Sequence, residues 1–182
     1  MPDATGLELI AHELRERFPG AVSDTVHHRG QATLVAEPGP ILGLLRWLRD
    51  EPGQEYRFMA SLHGADYLPA EPRLGVHYQL LNMDRVERVN VKVLLPDPGE
   101  EQLAEIDSCV ELFPTAEFQE REVFDMFGVF FRGHPDMRRI LMPEDYEGFP
   151  LRRDFPIGGE PVLFTHNEYE TPRWYETGRN GR

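Results

Sequence analysis

The sequence has a single cysteine among its 182 residues, Cys109. No disulfide can close within the chain. One thiol supplies neither a four-cysteine zinc site nor an iron–sulfur cluster. A reducing, cytosolic surrounding fits that composition. Cys109 stands at an apolar position beside Val110, where a buried, inert thiol is a simpler reading than a nucleophile. Long hydrophobic runs are missing too, and no segment approaches the roughly 20 apolar residues of a membrane span. The opening stretch, MPDATGLELIAHELRERFPG, has no basic region followed by an apolar one and does not read as a signal peptide. Membrane contact is therefore expected only through partners. Positive charge is scarce. The net charge is −13 and the isoelectric point is near 4.9, which argues against nucleic acid or an anionic membrane surface as the main partner.

The usual signatures of chemistry are also missing. There is no G-x-G-x-x-G, no Walker loop, no G-x-S-x-G and no H-E-x-x-H. Seven histidines invite a metal hypothesis. His27 and His28 are adjacent, so on a strand they face opposite ways. His63 and His77 lie on separate candidate strands. No third ligand is placed beside any pair, and no metal site is expected.

What is present is ordinary for a globular chain: 40% hydrophobic and 28% charged residues. The length suits one domain with a possible appendage, burying about two-thirds of its unfolded surface. Thr5 and Glu8 form a capping-box pattern ahead of Leu7, Ile10, Leu14 and Phe18, so a helix is expected up to Pro19-Gly20. Residues 21–28 and 31–36 read as a hairpin turning at Arg29-Gly30. A helix follows over 41–49, with Leu44, Leu45 and Leu48 inward. Strands are expected over 56–63, 76–83 and 86–95. In the last, Val89, Val91 and Val93 alternate with Arg88, Asn90 and Lys92, as in an antiparallel sheet with one wet face. Residues 100–112 read as a third helix on Leu103, Ile106, Cys109 and Val110. A fourth spans 116–127, capped by Pro114-Thr115 and stopped by Gly128. The fold class is α/β (α+β): a small, mostly antiparallel sheet with packed helices, residues 1–128. Residues 129–182 are expected to form an extended docking arm, rich in Pro and Gly. Phe130, Phe131, Phe149, Phe155, Phe164, Tyr169, Trp174 and Tyr175 make this arm too apolar for disorder.

The densest mix of acids, arginines and aromatics runs from Glu120 to Pro156. Glu122 and Asp125 are three apart on a helix and could act as an acid pair. The simpler reading is ion pairing. Arg121 precedes Asp125 by four residues, Arg132, Arg138, Arg139, Arg152 and Arg153 are close by, and the stretch has no lysine. Arginine's planar fork suits buried or interfacial carboxylates. Phe124, Phe127, Phe130 and Phe131 form an aromatic stripe for core packing and part of an interface.

This stretch resembles the C-subunit family of the proton-pumping NADH:quinone oxidoreductase, respiratory complex I. The resemblance rests on Glu120-Arg121-Glu122, Asp125-Met126-Phe127-Gly128, Gly133-His134-Pro135-Asp136, Arg138-Arg139-Ile140-Leu141-Met142-Pro143 and Gly148-Phe149-Pro150-Leu151-Arg152-Arg153-Asp154-Phe155. It implies a peripheral-arm subunit on the cytoplasmic side of the cell membrane. Such a subunit has no catalytic residue, cofactor or metal of its own. It docks on the large quinone-site subunit and neighbouring iron–sulfur subunits. FMN, iron–sulfur clusters, NADH and quinone are expected in those partners. The motif residues are then structural and interfacial. The same domain type would serve a membrane-bound hydrogenase or a ferredoxin- or F420-linked quinone reductase, since other chains set the electron input.

Overall fold

The computed structural model describes residues 2–99 and 102–156. Helix α1 (Ala4–Arg17) starts at Asp3, whose carboxylate accepts the Gly6 N–H at 2.7 Å. The capping box expected at Thr5 and Glu8 does not form. Asp caps a helix as well as Thr does, and the earlier cap places Thr5 inside the first turn. Glu8 accepts instead from the Thr25 hydroxyl of the next element. Leu7, Ile10, Ala11 and Leu14 make the buried stripe of α1.

Strands β1 (Val22–His28) and β2 (Gln31–Ala36) form the expected hairpin. Arg29 and Gly30 take φ of 51° and 74°, the two positive values that match a tight turn to strand twist. Helix α2 (Ile41–Asp50) buries Leu44, Leu45 and Leu48. Strands β3 (Phe58–Asp66), β4 (Leu74–Asn82) and β5 (Glu87–Leu95) then run as an antiparallel meander. The five-stranded sheet has the order β1-β2-β5-β4-β3. One pairing departs from the antiparallel expectation: β5 lies parallel to β2. Alternation within one strand cannot specify the direction of its neighbour.

One face of the sheet carries the core. Val89, Val91, Val93, Leu74, Val76, Tyr78 and Leu80 are buried there with the apolar faces of α1 and α2. The Phe127 ring lies so close to Gly64 that an added Cβ would sit 2.5 Å from it. Gly64→Ala is expected to lose about 1–3 kcal/mol of stability through displaced packing, read from urea denaturation at unchanged slope. An unshifted midpoint would show that the contact relaxes freely.

The helix expected over 100–112 is corrected. Residues 104–107 form strand β6 (Ala104–Asp107), paired in parallel with β7 (Val129–Arg132) as a second, two-stranded sheet. Ala104 and Ile106 are buried and Glu105 is exposed, so the same residues satisfy period two. Pairing with Val129 and Phe131 decides between the two periods. Cys109 is fully buried in a single turn after β6, where Phe113 N–H donates to Cys109 O at 2.8 Å. Helix α3 (Ala116–Phe127) links β6 to β7. Thr115 gives it no side-chain cap; the hydroxyl donates to Met59 O at 3.4 Å instead.

Candidate functional site

Helix α3 ends where Gly128 turns left-handed at φ 71° and donates its N–H to Phe124 O at 2.9 Å. The Phe149 ring occupies the space beside it, only 2.5 Å from where a Cβ would lie. Both demands exclude a side chain at this position. Chain 133–156 then folds back over α3 and the sheet. It lacks regular strands or helices, so its order must come from side chains that satisfy its backbone.

Asp125 does most of this. It is fully buried. Its Oδ2 accepts the N–H groups of Ile140, Leu141 and Met142 at 3.0, 2.7 and 2.8 Å. Its Oδ1 accepts from Arg139 at 2.7 Å. Burial pushes this carboxyl up, but the Met142 N–H, the guanidinium and the other two N–H groups more than offset it, so its pKa is lowered. Arg139 also donates to Gly148 O at 2.9 Å and lies over the Phe149 ring at 5.4 Å. Arg121 donates to the carbonyls of Arg138 and Arg139, each at 3.0 Å. The arm segment 138–142 is thus held by one carboxylate and two guanidinium groups.

A second clamp holds residues 151–154. Arg152 donates to Phe127 O at 2.7 Å and stacks on Phe149 at 4.8 Å. Leu151 N–H donates to Met126 O at 3.1 Å. Arg153 donates its N–H to Asp66 at 2.8 Å and its guanidinium to Leu68 O. Asp154 meets Arg73 at 2.6 Å. Arg73 is buried and pairs also with Asp66 at 2.8 Å and Asp97 at 2.7 Å. Burial raises the Asp66 carboxyl, yet hydrogen bonds from Arg73 and from the Arg153 and Leu68 N–H groups hold it well below the usual range. Asp66, Arg73 and Asp97 carried no sequence signal. They lie 7 and 24 residues apart along the chain, and Asp154 is 81 from Arg73.

Other motif residues go elsewhere. Glu120 faces the opposite way, accepting from the Ser108 hydroxyl at 2.6 Å and the Cys109 N–H at 2.8 Å, and burial raises its pKa. Glu122 is exposed while Asp125 is buried, so the imagined acid pair does not assemble. Arg121, expected to pair with Asp125, binds carbonyls instead, and Arg139 takes the carboxylate. His134 bridges Glu117 O at 3.0 Å and the Asp136 N–H at 3.0 Å, an arrangement the Nε2–H tautomer satisfies. Gly133 turns at φ 81° just before it, and Pro135 is exposed. Arg138 is exposed and pairs with Asp136 at 2.7 Å. Tyr146 N–H donates to Pro143 O at 3.1 Å and its ring stacks on Phe155. Pro150 is partly buried next to Phe149. Ile140, Leu141 and Leu151 stay 37%, 61% and 54% exposed.

His63 and His77 do meet. They are cross-strand partners with rings stacked at 5.0 Å. Among the described residues no three His, Cys, Asp or Glu side chains are grouped to hold a metal ion. Among them, too, no helix is long and apolar enough to cross a membrane. The aromatic tail positions Phe164, Tyr169, Trp174 and Tyr175 lie outside the described residues.

The chain is similar to proteins already known. The NADH-quinone oxidoreductase C subunit of Roseiflexus sp. (strain RS-1) is 41% identical over 159 residues, 87% of this chain and 89% of that one. The C subunit of the Herpetosiphon aurantiacus enzyme is 45% identical over 139 residues, 76% and 79% of the two chains. Among solved structures, a chain of the membrane-bound sulfane sulfur reductase, an archaeal respiratory membrane complex, superposes with a TM-score of 0.65 at 26% identity. That match covers 82% of this chain and 85% of the other. Residues 34–161 match the family model of the respiratory-chain NADH dehydrogenase 30 kDa subunit. The chain therefore belongs to the respiratory-chain NADH dehydrogenase 30 kDa subunit family, which holds the C subunits of NADH-quinone oxidoreductase.

Proposed function

We propose that this chain is a non-catalytic assembly subunit of the peripheral arm of a proton-translocating NADH:quinone oxidoreductase. It docks through the clamped arm on the large quinone-site subunit and on neighbouring iron–sulfur subunits. The observation that carries the reading is what the clamps present. Asp125 and Arg139 are spent on holding segment 138–142, and that segment leaves Leu141 and Ile140 outward, with Leu151 from the second clamp. Exposed apolar side chains on an otherwise over-determined backbone suit a pre-organised docking surface, because little ordering remains to be lost on binding. Asp125 and Asp154 of the motif are engaged with arginines, and Asp125 with backbone N–H groups as well, which leaves them poorly placed for proton transfer. Burial pushes the Cys109 thiol up, away from the thiolate a cluster ligand needs. FMN, iron–sulfur clusters, NADH and quinone would then reside in the partner chains. The location is the cytoplasmic side of the cell membrane, reached through those partners. The similarity to the archaeal membrane complex supports a second reading, the equivalent subunit of a related membrane-bound machine with a different electron input.

The test is a double variant, Leu141→Glu with Leu151→Glu. Both side chains are mostly exposed, so the fold should be within about 0.5 kcal/mol of wild type. Recovery of iron–sulfur subunits on the tagged chain, purified from mildly solubilised membranes of its host, is expected to fall at least tenfold. Unchanged recovery with NADH-dependent quinone reduction intact would overturn the docking role of this surface. Recovery of iron–sulfur subunits lacking NADH activity would favour the related machine.

A further inference from the structure

The five-stranded sheet has a second face, opposite the core, and its centre is a shallow groove of about 370 Å³. Thr33, His63, His77, Gln79, Asn90 and Lys92 line it. None belongs to the arm motif. A solvated sheet face is normally rich in charge of both signs. Here the lining has one fixed charge, the Lys92 ammonium, and no carboxylate. Lys92 is the only lysine of a chain with a net charge of −13. Its Nζ sits 4.2 Å from the centre of the Tyr67 ring, whose hydroxyl is 2.8 Å from His77 Nε2. Burial, then the neighbouring His63 and Lys92 charges, lower the His77 pKa to about 4, and burial lowers that of His63. Both rings are therefore neutral near pH 7. Asn90 is only 7% exposed, and its Oδ1 is buried with no hydrogen-bond partner.

We infer that this groove is a second docking surface, taking an acidic polypeptide segment of a partner subunit whose carboxylate pairs with Lys92. The occupant is assigned by complementarity. A lone cation in a groove without acids calls for a carboxylate. A peptide segment with an Asp or Glu supplies it, and its backbone can also bond the Gln31, Thr33 and Gln79 side chains that line the groove, which a small free carboxylate cannot do as fully. The inference rests on the reading of the chain as a subunit of a larger complex, and it concerns a face separate from the arm.

The single lysine makes the test site-specific. The assembled complex is purified in mild detergent from host membranes and treated with a water-soluble carbodiimide. That reagent activates a carboxyl group and leaves as a urea when an amine attacks, forming an amide bond only between groups already in contact. Peptide mass spectrometry is expected to find Lys92 Nζ joined to an Asp or Glu of a co-purified subunit. Lys92→Arg keeps the charge and should preserve assembly while abolishing that product. Acetylation of Lys92 by a water-soluble acetyl ester should be at least tenfold slower in the complex than in the isolated full chain. Lys92→Glu should lower recovery of the complex tenfold or more. Equal acetylation in complex and isolated chain, or coupling only to acids of this same chain, would overturn the inference while leaving arm docking intact. Failure to recover any partner subunit would overturn both.

Discussion

Arg73→Met is expected to lower the stability of the domain by about 3–5 kcal/mol, because it strands buried carboxylates rather than removing a surface pair. For a domain of this size that is a fall in Tm of about 6–20 °C. The side chains of Arg73 and Asp66 are 6% and 1% exposed, and Asp97 is 18% exposed. Asp154 is half exposed, so its share of the loss is about 0–1 kcal/mol. The pH dependence is the sharper readout. In the wild type the Asp66 pKa is held far below its unfolded value of about 3.9. Its contribution is present above that value and fades as pH falls through the folded one. In the variant the guanidinium bonds are gone, while the burial that raises the Asp66 pKa remains. The Asp66 pKa in the fold therefore moves up from its wild-type position, and the loss of stability on acidification below about 4 should be shallower than in wild type. Arg73→Lys is expected to recover only part of the loss, since one ammonium cannot fork to three carboxylates. A variant with wild-type Tm and the same pH slope would show that the hub contributes nothing net.

Asp125→Ala is the second large expectation. It leaves three N–H groups and the Arg139 guanidinium without their acceptor. The loss should again be about 3–5 kcal/mol. Asp125→Asn keeps an acceptor oxygen but not the charge, and should lose roughly 1–3 kcal/mol. The two variants should also localise their damage. Hydrogen exchange at Ile140, Leu141 and Met142 should accelerate well beyond that of the β4 and β5 amides, since the arm has no strand ladder to fall back on. Because the Asp125 pKa is lowered in the fold, wild-type stability declines as pH drops below about 4, and Asp125→Ala should flatten that decline. Uniform acceleration across sheet and arm would mean that the clamp is part of the global fold rather than a local latch. Unchanged exchange would remove the clamp altogether.

Much of this was legible in residue order, and the misses share a cause. The hairpin at Arg29-Gly30, the inward stripe of α2, the alternation of β5 and the Gly128 stop of α3 are local patterns read over a few residues. The stretch from Glu120 to Phe155 stood out by composition and carried the family resemblance that the similarity to known subunits upholds. Residues 104–107 failed because their apolar positions satisfy both periods. The partner strand that settles the matter, β7, lies on the far side of α3. Sequence alone thus determined most element types, the buried faces and the family. Tertiary structure alone decided that β5 runs parallel to β2, that Asp125 chooses Arg139 over Arg121, and that Arg73 gathers three distant aspartates. The reason is physical. Periodicity and capping are set by neighbours along the chain, whereas a buried charge takes whichever partner the packed backbone brings within hydrogen-bonding reach, and that distance is fixed only once the sheet and the arm have closed on one another.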